Sequence, residues 1–363
     1  MRIAIASSTY YRACLPWERD CRSYYGSEAY HAILAWALSH EHEVIFFAPA
    51  GSSLIGTTYY YNYSQESDVF TLTGLRLEEF DADVFIDMTA TAQTVPLLAY
   101  YTDIPYLAFR NGYNAYTYPV MGKERNYVVI SKTNQKEFAK AGFRSEVCYY
   151  GIPDFYSSGR DEDAAILNAY NLEPKSYYLF LNRPHKHKGI YTFLEIVEAL
   201  PAYKFVMSWG VTSQEHIREA ENVLKTATER GLLEKNLKYI PLPLNPQHHR
   251  VKRALLRNAK ALVIPLHPEY IEGFGLVQAE AIAAGTPLLT WGQESQKELW
   301  KEGRDAYFVN EYRVSAFIKA LQELNASIDT FKPKCEYTVE RSVNSWLELI
   351  KKVINGELSL IHI

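Results

Sequence analysis

The feature that most constrains this chain is an alternation of short apolar runs with amphipathic stretches, repeated in two blocks. In the first block, residues 2–7 (RIAIAS), 43–49 (EVIFFAP), 83–87 (DVFID), 106–109 (YLAF), 127–131 (YVVIS) and 147–150 (VCYY) read as strands. Several are apolar at consecutive positions, as expected of strands covered on both faces of a parallel sheet. After the first strand, Ser27 reads as a helix N-cap, and Ile33, Leu34, Ala37 and Leu38 recur at helical spacing. A shorter helix is expected over residues 133–143, ending at Gly142. Residues 151–176 break the rhythm with a polar, turn-rich segment that reads as the start of an interdomain hinge. The alternation then resumes, with strands expected at 177–182, 203–209, 237–242, 261–266, 286–291 and 306–310. Helices are expected at 189–200, 213–231, 246–259, 312–325 and 338–355.

Two βα blocks joined by a hinge predict an α/β protein of two Rossmann-like, doubly wound parallel-sheet domains facing across a cleft. The expected division is an N-terminal domain over residues 1–155 and a C-terminal domain over 156–337, within a chain of 363 residues. Ligands of such sheets sit outside the carboxyl ends of the strands. Composition narrows the partners. With 48% hydrophobic and 22% charged residues the chain has a soluble balance, and a net charge of −4 gives no global reason to bind nucleic acid. No apolar run reaches the roughly 18 residues that span a bilayer. The N-terminus enters its first strand without a leader pattern. The four cysteines, Cys14, Cys21, Cys148 and Cys335, form no C-x-x-C pair, which argues for reduced thiols and a cytoplasmic location. His248 and His249 have no third ligand at metal spacing and read as helix-surface residues; no metal and no cofactor is expected. A G-x-S-x-G elbow, a P-loop and a G-x-G-x-x-G after the first strand are all absent from the sequence.

The chemistry concentrates in EYIEGFGLVQAEAIAAGTPLL, residues 269–289. Gly273, Phe274, Gly275 and Leu276 follow a strand and open a helix, so unpaired N–H groups and the helix dipole favour an anion there. Glycine lets the backbone approach a phosphate closely. Glu272 beside that site would repel a diphosphate unless it faces neutral sugar hydroxyls, and Glu280 could accept from both hydroxyls of a ribose. The plainer alternative is that Glu272 caps the helix and Glu280 is solvated. A second loop, FLNRPHKHKG at residues 180–189, places Arg183 and Lys188 after a strand, where two cations could grip a diphosphate or simply form a basic surface. Lys132, Lys136 and Lys140 share a helix face within residues 123–144, near Phe138 and Phe143. That face reads as solvated, with weak peripheral contact to an anionic membrane as the alternative.

These residues resemble the retaining glycosyltransferases of family four, which have the GT-B fold. The resemblance rests on Glu272 and Glu280 with seven residues between them, on EGFGL…EA…GTP, and on Arg183 and Lys188 within NRPHKHKG. It extends along most of the chain, from YYGSEAYHAILAWALSHEHEV at 24–44 through YYGIPDFY to RALLRNAKALVIPL. It implies transfer of a hexose from a nucleotide-diphosphate sugar to an unidentified acceptor, with retention and without metal. Arg183 and Lys188 would stabilise the leaving diphosphate, aided by backbone amides of Phe274, Gly275 and Leu276. Glu272 would hold donor-sugar hydroxyls, Glu280 the ribose, and Gly26 would lie near the donor phosphates. The resemblance also implies an acceptor-binding first domain onto which the final helix, 338–363, packs back. One departure is visible: relatives carry a histidine near the reacting sugar, and the corresponding stretch, PYLAFRNGYN at 105–114, has Arg110 and Asn111 instead. Two other readings keep the same cleft: a nucleotide-sugar binding protein without catalysis, and a GT-B sugar-nucleotide epimerase.

Overall fold

The computed structural model describes residues 1–7, 11–18, 26–61, 76–89, 104–111, 126–210, 213–245 and 247–358. The chain forms two compact units, one of Met1–Pro153 with Tyr337–Ile363 and one of Asp154–Glu336.

The first unit opens with β1 (Arg2–Ala6), α1 (Gly26–Leu38), β2 (Glu43–Pro49), β3 (Thr57–Tyr61), β4 (Val84–Asp87) and β5 (Tyr106–Arg110). β6 (Tyr127–Val129), α2 (Lys132–Lys140) and β7 (Ser145–Val147) complete its sheet. The strand order is β3-β2-β1-β4-β5-β6-β7, and every pairing is parallel. Parallel neighbours need crossovers, and α1 between β1 and β2 supplies one. Its residues 28–35 are all buried, wider than the stripe read from the sequence. The helix begins at Gly26, so Ser27 lies inside it and donates to Glu28 Oε2 at 2.8 Å instead of capping it. In α2, Ser131 is the N-cap and accepts from the Asn134 amide. Phe138 and Phe143 pack around Tyr127, each ring centroid 5.5 Å from it, so both phenylalanines of this basic stretch serve the core. Residues 123–125, at the start of the stretch weighed for membrane contact, lie outside the described residues.

In the second unit the elements run α3 (Arg160–Ala169), β8 (Tyr178–Leu181), α4 (Ile190–Ala199), β9 (Phe205–Trp209), α5 (Gln214–Glu229), α6 (Leu232–Lys235) and β10 (Leu237–Pro241). Then follow α7 (His248–Asn258), β11 (Ala261–Ile264), α8 (Leu276–Ala283), β12 (Leu288–Trp291), α9 (Glu294–Leu299), β13 (Ala306–Val309) and α10 (Val314–Ser327). The order β10-β9-β8-β11-β12-β13 is again wholly parallel. Its core is aromatic on one flank, where Phe180, Phe193 and Phe205 meet at centroid distances of 5.2 and 5.7 Å. α11 (Val339–Ile354) returns to the first unit and packs on α1 and β5. It buries Trp346, Leu349, Ile350 and Val353, with Trp346 set 5.5 Å from Phe109. Among the described residues no helix is long and apolar enough to cross a membrane.

Three histidines, His31, His248 and His249, are buried. His31 on α1 faces the Ser7 hydroxyl through Nδ1 at 3.0 Å, and burial pushes its pKa down to about 3. His248 was expected on a helix surface, as was His249, but both are buried. The reason is that α7 lies against both α3 and α8 and has little free face. Burial, then the charge of Lys252, push His248 down to about 3, against the contrary pull of the Pro243 carbonyl. His31 and His248 are thus neutral when folded and bind a proton more readily when unfolded. Their contribution to stability is therefore flat above pH 6.5 and falls as pH drops from 6.5 toward 3. Each histidine costs about 1.4 kcal/mol per pH unit over that window. Urea unfolding from pH 4 to 8 should show this slope, and His31→Gln should reduce it. An unchanged slope in the variant would remove His31 from the account.

Candidate active site

The strand order of the second sheet reverses between β8 and β11, which are neighbours while β9 and β12 lie on opposite sides. Crossovers leaving adjacent strands in opposite directions open a crevice at their carboxyl ends. The loops after β8 and β11 start there, and they carry the two motifs.

After β8 the chain passes Arg183 and makes a short 3-10 turn, Lys186–Lys188, capped by His185. Gly189 then turns it into α4 with φ of +80°. A Cβ at Gly189 would stand 1.8 Å from the Pro265 carbonyl oxygen, so only glycine lets this loop dock against the end of β11. The docking presents Lys188 to the second loop. Its Nζ makes a short ion pair with Glu272 and donates to the Tyr270 hydroxyl at 3.0 Å. The ammonium also lies 4.4 Å from the Tyr270 ring centroid. Burial alone would lower the pKa of Lys188, but the charge and hydrogen bonds of Glu272 and Tyr270 raise it above its ordinary value. Lys188 is thus a protonated ammonium in a nearly dry place, its side chain 8% exposed beside a Glu272 side chain that is 17% exposed.

The turn after Glu272 is fixed by Phe274, whose side chain is buried and packs near Trp300 with centroids 6.4 Å apart. Gly275 has φ of +67° and stands as the N-cap of α8, without any side-chain cap. Among the described residues, the backbone N–H groups of Gly273, Gly275 and Leu276 donate to no protein acceptor. Unpaired amides at a helix start are the donors an anion requires. Glu272 does not cap this helix; it pairs with Lys188.

Arg183 is exposed on the same loop as Lys188, and its carbonyl accepts from the His185 amide at 2.8 Å. His185 is held below its usual pKa by burial, then by the charges of His187 and Arg183. His216, in the first turn of α5, is lowered by burial and by Arg183. The loops after β8 and β11 thus meet at Lys188, Tyr270 and Glu272.

Glu280 sits one helical turn into α8 and is 1% exposed, so it is not a solvated surface acid. Its Oε1 accepts from the Tyr156 hydroxyl at 2.7 Å and from Lys252 Nζ at 2.6 Å. Neither Tyr156 nor Lys252 was singled out from the sequence, nor was Tyr270. Tyrosine is so common here, at 29 residues, that no single one stands out. Gly26, the remaining glycine of interest, lies in the first unit as the opening residue of α1. In the same unit Arg110 ends β5 and is buried, donating to the carbonyls of Thr89 and Phe109 at 3.2 and 3.0 Å. Residues 112–114 of the stretch compared with the family's histidine region lie outside the described residues.

Comparisons with known proteins were made against this geometry. Residues 163–327 match the family described as glycosyl transferases group 1. Among solved structures, the chain is similar to HepE from Anabaena in complex with UDP and glucose, at 13% identity over 99% of this chain and 100% of that one, with a TM-score of 0.71. A glycosyltransferase from Rickettsia africae is 13% identical over 98% and 99% of the two chains, with a TM-score of 0.74. Sucrose-phosphate synthase from Thermosynechococcus elongatus is 15% identical over 99% and 98%, with a TM-score of 0.70. At these identities the likeness is one of fold. None of the curated proteins compared matches the sequence. The chain thus has the GT-B fold, and its residues 163–327 match the glycosyl transferases group 1 family.

Proposed function

We propose that this protein transfers a hexosyl group from a nucleotide-diphosphate sugar to an acceptor hydroxyl, with retention and without a metal, in the cytoplasm. The observation that carries the reading is the meeting of Lys188 and Glu272 beside the unpaired amides that open α8. An ammonium has three donor positions. Lys188 spends two on Glu272 and Tyr270, and the third can meet a phosphate oxygen. Gly275 and Leu276 amides and Arg183 would serve the other phosphate oxygens. Glu272, already neutralised by Lys188, can accept from a sugar hydroxyl without repelling the diphosphate next to it. HepE was solved with UDP-glucose, and its fold covers 99% of this chain, which supports a sugar nucleotide as the ligand.

In the reaction the bond from the anomeric carbon to the phosphate oxygen breaks, and the electron pair leaves with the nucleoside diphosphate. A bond forms from the anomeric carbon to the acceptor oxygen, whose proton is released. Charge grows on the departing phosphate, and preplaced cations and amides stabilise that growth more than they stabilise the bound donor.

The test is a thermal-shift and turnover series with UDP-, GDP- and ADP-sugars, since a ligand of the folded state raises its melting point. A shift with one of them, followed by slow donor hydrolysis that Glu272→Gln abolishes, is expected. No shift with any of them would overturn the reading. Arg183→Ala should lower turnover by about two orders of magnitude. Because Arg183 is exposed, its melting point should not move; wild-type turnover in this variant would strip Arg183 of its role.

A further inference from the structure

Lys188 holds two oxygens of different hydrogen-bonding capacity. Its Nζ donates to the Tyr270 hydroxyl and to Glu272 Oε2. An ammonium only donates, so the Tyr270 oxygen is the acceptor in that contact and keeps its own hydrogen for another partner. Among the described residues that O–H has no acceptor, and Glu272 Oε1 has no donor. Both residues are half-buried, so neither is sealed inside the core. Three contacts hold Tyr270 in place. His187 stacks on its ring with centroids 5.7 Å apart and planes 19° from parallel. The Lys188 ammonium lies 4.4 Å from the same ring centroid. Gln293, from the loop after β12, donates through Nε2 to the Tyr270 carbonyl at 2.9 Å. A hydroxyl on so restrained a ring is preorganised, and accepting from a cation strengthens its own donation. Because Tyr270 and Glu272 share one Nζ, their contacting oxygens lie within about 5.5 Å of each other, a span that one hydroxyl can bridge. Such a hydroxyl donates to the carboxylate and accepts from the phenol. A phosphate oxygen can only accept, and the carboxylate repels it.

We propose that Tyr270 is a specificity-determining residue for the donor sugar, its O–H donating to the same sugar hydroxyl that donates to Glu272. The inference rests on the donor-site reading above and adds a residue to it. Tyr270 and Glu272 form a matched donor and acceptor around one hydroxyl, with Lys188 as their shared anchor. A sugar lacking that hydroxyl leaves both groups unpaired, which a site built for hydrogen bonding penalises far more than a lost apolar contact.

The experiment is a binding cycle by calorimetry on the full-length protein. Its probes are UDP-glucose, ADP-glucose and GDP-mannose, the matching free nucleoside diphosphates, and the 2-, 3-, 4- and 6-deoxy forms of whichever donor binds. Tyr270→Phe keeps the ring, its stack on His187 and its contact with the ammonium. It should weaken the intact donor about fivefold, the scale of one neutral hydrogen bond, and change affinity for the free diphosphate by less than about twofold. With the deoxy form that lacks the facing hydroxyl, variant and wild type should bind alike, while the other deoxy forms keep the full loss. An equal loss with the free diphosphate would mean that the O–H serves a phosphate or only supports Lys188, and would overturn the assignment. A loss that persists with all four deoxy forms, or no loss with the intact donor, overturns it too. If wild type binds none of the three sugar nucleotides and none of their diphosphates, the donor-site reading beneath it falls instead.

Discussion

Lys188→Ala is expected to lower turnover by about three orders of magnitude, a larger loss than at any other single side chain in the site. Two effects combine. The variant loses a desolvated cation aimed at the phosphate, and it leaves Glu272 beside the diphosphate with no counter-charge. The second effect distinguishes Lys188 from Arg183, which is exposed and pairs with no acid among the described residues. Lys188→Ala should also cost about 3 kcal/mol of stability, because Glu272 is left three-quarters or more buried without its partner. The double variant Lys188→Ala with Glu272→Gln separates the two. It should recover most of that stability in urea unfolding and none of the turnover. If the double variant regained activity, or the single one kept wild-type rates, Lys188 would be a structural lysine.

Gly189→Ala should cost about 3 kcal/mol or more, although it adds one methyl group. Two penalties coincide at this position. The residue sits at φ of +80°, and its new Cβ would overlap the Pro265 carbonyl oxygen at 1.8 Å. A carbonyl at the end of a buried strand has nowhere to retreat. Gly285 provides the control: its φ is +77°, but nothing lies within 4 Å of its Cβ position. Gly285→Ala should therefore cost only the left-handed backbone penalty, about 1 kcal/mol. The Gly189 variant should also lose its thermal shift with donor, since any retreat of the loop carries Lys188 with it. Equal destabilisation at the two glycines would show that the loop yields freely and that the Pro265 contact is not what seats Lys188.

Some of this was legible in the sequence because the information is local. β1, β8 and β11 are apolar at successive positions, and each motif follows its strand within a few residues. The strand-turn-helix around Gly275 needs no distant residue to be recognised. β3 was missed because TTYYY alternates nothing: Tyr59 and Tyr60 are part-exposed at the sheet edge, and only its β-branched and aromatic content hints at a strand. β7 was expected at residues 147–150 but pairs with β6 over Ser145–Val147, since the neighbour's register, and not the local apolar run, decides which residues join a ladder. His248 and His249 were misjudged because a polar helix was assumed to have a wet side. α7 instead spends its charges on neighbours: Arg253 Nε donates to Asp163 on α3 at 3.1 Å, as Lys252 does to Glu280 on α8. The partners of Glu280 were invisible for the same reason. Tyr156 is 124 residues away and Lys252 is 28, and neither separation leaves a periodic trace.

The return of α11 has a consequence for how the molecule is made. During synthesis, residues 154–336 have all left the ribosome before the helix that covers Phe109 and the flank of α1 exists. Domains generally fold as units while the chain elongates. The first unit is therefore finished after the second, and the second can be complete while the first still waits, with an apolar wall uncovered, for residues 339–354 to emerge.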